Sequence, residues 1–334
     1  MNKITSEQIA LWSKIGPRAA YGLAVQQLVE KNDLVIALSA DLGNSSGLDR
    51  LRKSHPDRFI NVGIAEQSLI GFSAGLANEG FIPFASTFAP FATMRAAEQI
   101  RMNLGYMEMN VKVVGLGSGL SMGFLGNSHY GLEDLAIMRT IPGMTILSPA
   151  DCTEVVKCVE YASQLNGPTY LRLTGVPDNP IVYTEDYEFE IGRAISMCEG
   201  NDLAIIATGS MVSHALNASK IMSNFGMSAK VYNFHTIKPL DEVKLSEIGK
   251  NFTFIATVEE HSVIGGLGSS VAQYYSTQPD RPYVSIFGLP DNFGPTGNYQ
   301  FLLNYHELQA EQLAVRIMDS YKKSQNLAEN LDKN

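Results

Sequence analysis

The chain has 334 residues, 45% of them apolar, which is enough to fill the cores of two domains of ordinary size. Its 25 basic and 34 acidic residues give a net charge of −9 without any basic block, which excludes a nucleic-acid-binding role. Three scattered cysteines predict neither disulfides nor a zinc site, and the absence of a long apolar run or an N-terminal signal segment leads us to expect a cytoplasmic protein that enters no membrane.

Short apolar runs alternate with helical stretches along the whole chain. Strand-like runs lie at residues 34–38, 58–62, 111–116, 144–147, 169–173, 203–208, 229–234, 252–258 and 283–287. Such alternation is typical of βαβ units, in which helices cover both faces of parallel strands. The sequence therefore predicts an α/β protein with two doubly wound, mostly parallel sheets.

One segment, residues 176–192, is rich in Pro, Asp and Glu and lacks a helical period. Such a composition is typical of a linker that crosses a surface. We therefore predict a first domain over residues 1–175, a second over 193–322, and a frayed polar tail over 323–334.

Glu66 lies where the predicted strand at 58–62 is followed by an apolar helix. That helix contains Gly71 and Gly75, which weaken an isolated helix, so we expect it to pack closely against another domain or subunit. Two interpretations of Glu66 are open. It satisfies the free amides at the helix start, or it lies in apolar surroundings, stays protonated and donates to a ring nitrogen of a ligand.

Three further side chains follow strand-like or helical patterns. Asp41 comes after the strand at 34–38, where a doubly wound sheet presents ligand-binding groups, although a helix cap is an equal alternative. Phe88 and Phe91 are three residues apart and would share one face of a helical turn. Aromatic residues at this spacing either pack in a hydrophobic core or stack on a ligand.

His129 follows a glycine-rich loop, residues 115–128, that we expect to line a cavity. Its imidazole suits proton transfer, and a structural role is the alternative. In the second domain, Glu259, Glu260 and His261 precede another glycine cluster. Because no nucleophile or metal-binding set is nearby, we interpret them as polar interface or turn residues.

Three segments in chain order resemble the transketolase family of thiamine-diphosphate enzymes: VGIAEQ at 62–67, FASTFAPF at 84–91 and SHYGLEDLAIMR at 128–139. The similarity extends from about residue 18 to about residue 314, and it is strongest to the separately encoded C-terminal half of split transketolases. It implies that the two domains are a pyrimidine-binding domain and a transketolase C-terminal domain.

The resemblance implies a role for each residue that matches a family motif. Glu66 would hydrogen-bond the pyrimidine nitrogen of thiamine diphosphate and promote the imino form that takes the thiazolium proton. Phe91 would stack on the pyrimidine, with Phe88 beside it. Asp41 would lie near the cofactor at a subunit interface, and His129 would contact the substrate.

The family's phosphate-binding positions correspond to Arg18, Ser45 and Arg172, two guanidinium groups and a hydroxyl that suit an anion. Two positions depart from the family pattern. Leu125 replaces an Asp that faces the substrate, and Gly117 replaces a His. Because Leu cannot bind a sugar hydroxyl, we expect a less hydroxylated or otherwise altered acceptor.

The Gly-Asp-Gly stretch that holds the diphosphate and its divalent metal in this superfamily does not occur in the chain. The resemblance therefore implies that an N-terminal transketolase subunit supplies the ligands of Mg²⁺ or Ca²⁺. We expect a heterotetramer whose active sites lie between subunits, and we expect this chain alone to be inactive.

Together these features predict a subunit of a transketolase-like transferase that moves a two-carbon ketol unit from a ketose phosphate to an aldehyde. Two other enzymes of similar plan are alternatives: the β-subunit of a 2-oxoacid dehydrogenase and a carboligase that resembles deoxyxylulose-phosphate synthase. A different class is a non-catalytic subunit that only stabilises a partner, which the presence of Glu66 argues against.

Overall fold

The protein folds into two open sheets, each flanked by helices. The structure is a computed structural model that describes residues 3–331. The strands of that part of the chain are β1 (Val35–Ser39), β2 (Phe59–Asn61), β3 (Ile82–Phe88), β4 (Lys112–Leu116), β5 (Thr145–Leu147), β6 (Thr169–Arg172), β7 (Ile195–Cys198), β8 (Leu203–Ala207), β9 (Ala229–Asn233), β10 (Thr236–Lys238), β11 (Phe254–Ser262) and β12 (Tyr283–Leu289). The α-helices are α1 (Ser6–Ile15), α2 (Pro17–Val29), α3 (Asp49–Ser54), α4 (Glu66–Asn78), α5 (Ala97–Gln99), α6 (Asp134–Arg139), α7 (Cys152–Gln164), α8 (Met211–Ser223), α9 (Glu242–Asn251), α10 (Leu267–Ser276), α11 (Tyr299–Tyr305) and α12 (Ala310–Leu331). Short 3₁₀ helices lie at Pro56–Arg58 and Gly123–Leu125, and π-helical segments at Phe91–Arg95 and Ile100–Tyr106.

The first sheet has the strand order β10-β5-β6-β4-β3-β1-β2 and is parallel except for β10. Every residue of β1, β4 and β6 is buried, because helices cover both faces of the sheet. This burial explains why these strands appear in the sequence as mainly apolar runs, in which Lys112 and Arg172 are the only charged residues.

The second sheet has the order β12-β11-β8-β9-β7 and is parallel except for β7, which runs antiparallel to β9. The two sheets confirm the predicted α/β class with mostly parallel strands. All nine predicted runs form strands, whereas β3, β7 and β10 were not predicted. Pro83, Ser86 and Thr87 interrupt the apolar pattern of β3. Polar residues likewise interrupt β7 and β10, so neither forms an apolar run.

Strand β10 is encoded in the second half of the chain but joins the first sheet, where it pairs antiparallel with β5. The segment between β9 and β10 therefore connects the two sheets directly. It explains why the two halves share an extensive buried junction, which the predicted domain division did not anticipate.

The segment 176–192 contains no helix or strand, as expected of a linker. It does not simply cross a surface, because Tyr183 and Phe189 are buried. The hydroxyls of Tyr183 and Tyr187 both donate to Oε1 of the fully buried Glu154, at 3.1 and 3.0 Å. These bonds fasten the linker to α7.

Helix α12 extends to Leu331 and so includes residues 323–331 of the predicted polar tail. Leu313 and Ile317 of this helix are buried in the core beside the second sheet, and that packing stabilises the helix. Residues 1, 2 and 332–334 lie outside the described part. No helix within residues 3–331 is both long enough and apolar enough to cross a membrane.

His235 lies in the connection between β9 and β10 and is completely buried. Its ring packs against Phe189 with a centroid distance of 4.4 Å, and its Nδ1 shares a 2.9 Å hydrogen bond with Oγ1 of Thr236. Burial lowers the pKa of His235 from 6.5 to about 4, because the imidazolium form loses its hydration.

We therefore expect His235 to make the protein sensitive to acid. As the pH falls from 6.5 to 4, the unfolded chain binds a proton at this residue and the native chain does not, which lowers the free energy of unfolding by about 3 kcal/mol. In urea titrations between pH 4 and 7, His235→Phe should lose stability more slowly with acid than the unsubstituted chain. Parallel curves for the two proteins would contradict this expectation.

Candidate active site

The predicted site residues gather at one edge of the first sheet. Strands β1, β3 and β4 are parallel, so their carboxyl ends lie at the same edge. Asp41 follows β1, Phe88 ends β3, and the glycine-rich loop that carries His129 follows β4. This is the edge at which open α/β sheets bind ligands.

Glu66 is the first residue of α4 and is only 4% exposed. The structure does not support the helix-capping interpretation, since no side chain caps this helix start and the Glu66 carboxylate accepts a hydrogen bond instead. Its Oε1 lies 2.6 Å from Nη1 of Arg95, whose side chain is 48% exposed. Sequence reasoning missed Arg95, and the apolar surroundings expected for Glu66 thus include a cation.

Arg95 also lies over an aromatic ring. Its Cζ is 4.1 Å from the centroid of the Phe91 ring, and both residues belong to the π-helical segment Phe91–Arg95. Side chains four residues apart are neighbours on any helical turn. The spacing of Phe91 and Arg95 is therefore the sequence signal that could have revealed the contact.

The rings of Phe88, Phe91 and His129 form one edge-to-face cluster. Their centroids are 6.0 Å apart for the two phenylalanines, and 5.7 and 5.2 Å from His129 to Phe88 and Phe91. The prediction that both phenylalanines share a helical turn is wrong, because Phe88 is the last residue of β3 and Phe91 begins the π segment. The rings meet because the chain turns sharply between them.

His129 is half-buried, and its Nδ1 shares a 3.0 Å hydrogen bond with Oγ of Ser128. In the same loop, Phe124 and Leu125 are exposed. Gly117 has a φ of +62°, and a Cβ there would lie 2.4 Å from Cγ of Met122. A histidine therefore does not fit at position 117 unless this loop changes its path.

Asp41 makes a reciprocal pair with Asn61, a residue the sequence did not single out. The Asp41 amide donates to Oδ1 of Asn61, and Nδ2 of Asn61 donates to Oδ1 of Asp41, both at 3.0 Å. Asp41 does not cap α3, whose N-cap residue is Leu48, and its φ is +57°. The pair fixes an exposed carboxylate beside the segment that leads to Glu66.

Arg18 and Ser45 line one cavity of about 300 Å³, together with backbone of residues 16–19 and 175–177. They meet because α2 and the loop after β1 approach closely: a Cβ at Gly22 would lie 2.1 Å from the Gly47 oxygen. Burial lowers the pKa of Arg18, since the cation loses water. Within residues 3–331, Arg18 forms no ion pair with a carboxylate, so the cavity suits an anion.

Arg172 does not join that cavity, which corrects its prediction as a phosphate ligand. It is 1% exposed, and its Nε lies 2.8 Å from Oδ2 of Asp134, also buried. Its Nη2 donates to the carbonyl oxygens of Gly131 and Glu260, at 3.0 and 2.8 Å. Burial by itself would lower the pKa of Arg172, but the acidic groups around it, Asp134 foremost and then Glu260 and Tyr170, together raise it. These contacts are those of a structural ion pair.

Glu259, Glu260 and His261 are buried on β11, so the interpretation of them as turn residues is wrong. Glu259 accepts the amides of Leu267 and Gly268 at the start of α10, at 2.7 and 2.8 Å. Burial raises its pKa to about 7. Burial also lowers the pKa of His261 to about 4.

The site offers a carboxylate, an aromatic face and an imidazole, which fit the aminopyrimidine part of a cofactor. No group of three or more His, Cys, Asp or Glu side chains that could hold a metal ion occurs in the described part of the chain.

Two family models match the chain. The model described as transketolase, pyrimidine binding domain, matches residues 13–175, and the model described as transketolase, C-terminal domain, matches residues 192–313. Together they account for most of the chain.

Similar proteins include one from Methanocaldococcus jannaschii, provisionally described as a transketolase C-terminal section. It is 40% identical over 92% of this chain and 97% of its own length. A 6-deoxy-6-sulfo-D-fructose transketolase subunit from a Clostridium species is 36% identical over 89% of this chain and 91% of its own length. One of the subunits of an apulose-4-phosphate transketolase from Phocaeicola vulgatus is 34% identical over 92% of this chain and 98% of its own length.

A solved structure described as a split gene transketolase, inactive beta4 tetramer, superposes with a TM-score of 0.83. It is 39% identical and covers 92% of this chain and 98% of its own. The chain thus matches proteins of its own length across both sheets.

We expect Glu66 and Arg95 to depend on each other for stability. Removing the Arg95 guanidinium leaves a nearly buried carboxylate without its partner. Removing the Glu66 charge costs less, because the half-exposed Arg95 can still be hydrated. In urea titrations, Arg95→Met and Glu66→Gln should each destabilise the chain, and the double variant should cost about 1 kcal/mol less than their sum. Additive effects would show that the pair is energetically unimportant.

Proposed function

The chain belongs to the transketolase family, and from that premise we propose that it is the pyrimidine-binding subunit of a two-subunit enzyme that transfers a two-carbon ketol unit from a ketose phosphate to an aldehyde. The observation that carries this proposal is the convergence of Glu66, Phe91, Phe88 and His129 at the carboxyl edge of the first sheet. The family is thiamine-diphosphate-dependent. When bound, that cofactor supplies the carbon nucleophile and holds the electron pair of the broken carbon–carbon bond.

Glu66 and Phe91 would hold the aminopyrimidine ring. Arg95 makes with them the two contacts that this ring would need, a hydrogen bond to the carboxylate and stacking on the phenyl face, so a planar nitrogen-containing group fits there. Arg95 is half exposed and can move towards solvent. Glu66 would then exchange a proton with the ring nitrogen, and Asp41 would lie nearby at the subunit interface.

His129 would act on the substrate. Its ring packs against Phe88 and Phe91, which places it beside the proposed ring position, and it can hold or move a proton at a donor hydroxyl. Arg18 and Ser45 would bind the phosphate of the ketose or of the aldehyde in their cavity, with charge-assisted hydrogen bonds.

An apolar face beside the site supports association with a second subunit. Its exposed large side chains are Ile64, Phe72, Met94, Tyr106 and Met107. Gly71 and Gly75 of α4 have open space where a Cβ would lie, so another backbone can approach closely. A face of this kind is typical of a protein interface. We propose that the N-terminal subunit binds in this region, supplies the ligands of Mg²⁺ or Ca²⁺, and completes a heterotetramer.

The acceptor would face an apolar wall. Phe124 and Leu125 are exposed beside His129, and Phe293 of the second domain is 82% exposed on a segment whose next residue, Gly294, accepts a hydrogen bond from Asn127. Such a wall suits an aldehyde with fewer hydroxyl groups. The relatives named for 6-deoxy-6-sulfo-D-fructose and apulose-4-phosphate are consistent with a substrate other than the ordinary unbranched pentose phosphates.

The central test is reconstitution. We expect this chain alone to be inactive, and the pair formed with an N-terminal transketolase subunit to transfer ketol units, including to acceptors without a 2-hydroxyl. Glu66→Gln should lower kcat of the pair by at least about 100-fold, because the ring nitrogen loses its proton partner. Glu79→Gln, at the exposed end of the same helix, is the control.

Full activity of the Glu66→Gln pair would refute the catalytic role and favour a stabilising subunit. Pyruvate decarboxylation or deoxyxylulose-phosphate synthesis in place of ketol transfer would favour the other two enzymes. A strict requirement for the acceptor 2-hydroxyl would contradict the apolar-wall proposal.

The phosphate cavity has a separate test. Arg18→Met should raise KM for phosphorylated substrates about 10- to 100-fold and leave KM for unphosphorylated analogues unchanged, because one charge-assisted hydrogen bond is lost. Arg281→Met in the second domain is the matched control. An equal change in KM for both kinds of substrate would show that Arg18 does not bind the phosphate.

A further inference from the structure

The loop of residues 117–131 carries His129, yet much of what holds it belongs to the second domain. Its first part, residues 117–123, is buried, whereas Phe124, Leu125, Asn127 and Ser128 are exposed. Gly119 and Gly131 join the two ends of the loop through reciprocal backbone hydrogen bonds of 2.9 and 3.2 Å. The position of His129 therefore depends on how this closed loop is anchored.

Glu260 of β11 provides an anchor at the first end. Its Oε1 accepts the Leu120 amide at 2.6 Å, and its Oε2 accepts the hydroxyl of Tyr299 at 2.6 Å and that of Ser210. Only the contact with Leu120 reaches the loop. The other two hold the carboxylate in a single orientation, so Glu260 fixes the loop backbone rather than following it.

The close approach of Glu260 explains the glycine at position 119. Gly119 has a φ of +66°, and a Cβ there would lie 2.2 Å from Oε1 of Glu260. Without a side chain, the loop backbone can pass directly over the carboxylate. A side chain at position 119 would therefore collide with the Glu260 carboxylate.

The second domain also contacts the loop near its exposed turn. Nδ2 of Asn127 donates to the Gly294 oxygen at 2.9 Å, and the Gly297 amide donates to the Gly123 oxygen at 3.2 Å. The Tyr130 hydroxyl donates to the Pro295 oxygen at 2.7 Å. These bonds join neutral groups, whereas the Leu120 amide binds a buried carboxyl group that is itself held by two hydroxyls.

We propose that Glu260 is a positioning residue for His129: through the Leu120 amide, the second domain sets the path of the loop that presents the imidazole to the substrate. This inference deepens the proposed function and rests on it. It gives the C-terminal domain a direct part in building the active site, in addition to its own packing. Burial raises the pKa of Glu260, against the opposing effect of its hydrogen-bond donors.

The test compares two adjacent glutamates of β11. Glu260→Gln keeps the volume but cannot accept from three donors. Glu259→Gln changes an equally buried acid whose hydrogen bonds go to two amides at the start of α10 and which makes none with the loop. Hydrogen exchange of the full chain, followed by mass spectrometry, should show about 10-fold faster exchange or more in residues 117–131 for Glu260→Gln, with the β4 and β6 peptides unchanged. Glu259→Gln should accelerate exchange at the start of α10 and leave 117–131 unchanged.

The kinetic arm uses the enzyme reconstituted with its N-terminal subunit. Glu260→Gln should lower kcat at least 10-fold and leave KM for phosphorylated substrates unchanged, because the Arg18 cavity lies elsewhere. Glu259→Gln should keep kcat within about twofold. A purely structural role of Glu260 would instead accelerate exchange throughout the chain, and that result would overturn the proposal.

Unchanged exchange in 117–131, or a loosened loop with an unchanged kcat, would also overturn it. If Glu260→Gln does not fold, Tyr299→Phe replaces it in the test. This variant removes one donor that orients the Glu260 carboxylate, so exchange in residues 117–131 should rise to a smaller extent. Unchanged exchange in that loop would then overturn the proposal. If the unsubstituted pair transfers no ketol unit, the proposed function fails, while the exchange measurement still decides whether Glu260 anchors the loop.

Discussion

The buried ion pair between Arg172 and Asp134 is the contact on which the arrangement of this protein depends. It joins the end of β6 to the start of α6, and the same guanidinium binds the Gly131 and Glu260 carbonyl oxygens. Loss of either charge would leave the other buried without a partner, which typically costs about 3–5 kcal/mol. That is a large part of the total stability of an ordinary domain. The loop of His129 and the junction of the two sheets are therefore fixed together.

A second constraint is the parallel course of β1, β3 and β4. It brings residues that are far apart in sequence, such as Asp41, Phe88 and His129, to one edge of the sheet, and α4 adds Glu66. Under the proposed function, the aromatic cluster and the carboxylate are only part of a site. Exposed apolar side chains around α4 and the open space at its glycines are consistent with the proposal that another subunit covers this edge.

The predictions that held rest on local physics. Strands such as β1 and β4 are buried on both faces, so their residues are mainly apolar and the strands can be recognised in one sequence. The three segments at 62–67, 84–91 and 128–139 together identified the family, because short motifs in a fixed order can be read from one chain. The predictions that failed depend on which side chains become neighbours in the folded chain. Arg172 was grouped with Arg18 because both are cations, but charge type alone does not show whether Asp134 or a ligand is its partner.

The sequence by itself determined the α/β class, the family and the segments that supply Glu66, Phe91 and His129, because periodicity and short motifs are local properties of the chain. Only the tertiary structure decided that Arg95 pairs with Glu66 and stacks on Phe91, that β10 crosses into the first sheet, and that Glu260 reaches the loop of His129. The first contact depends on a π turn, the second on an antiparallel strand that joins the sheet, and the third on the packed junction between the domains. Their geometry follows from the packing of the whole chain, and no local pattern records it.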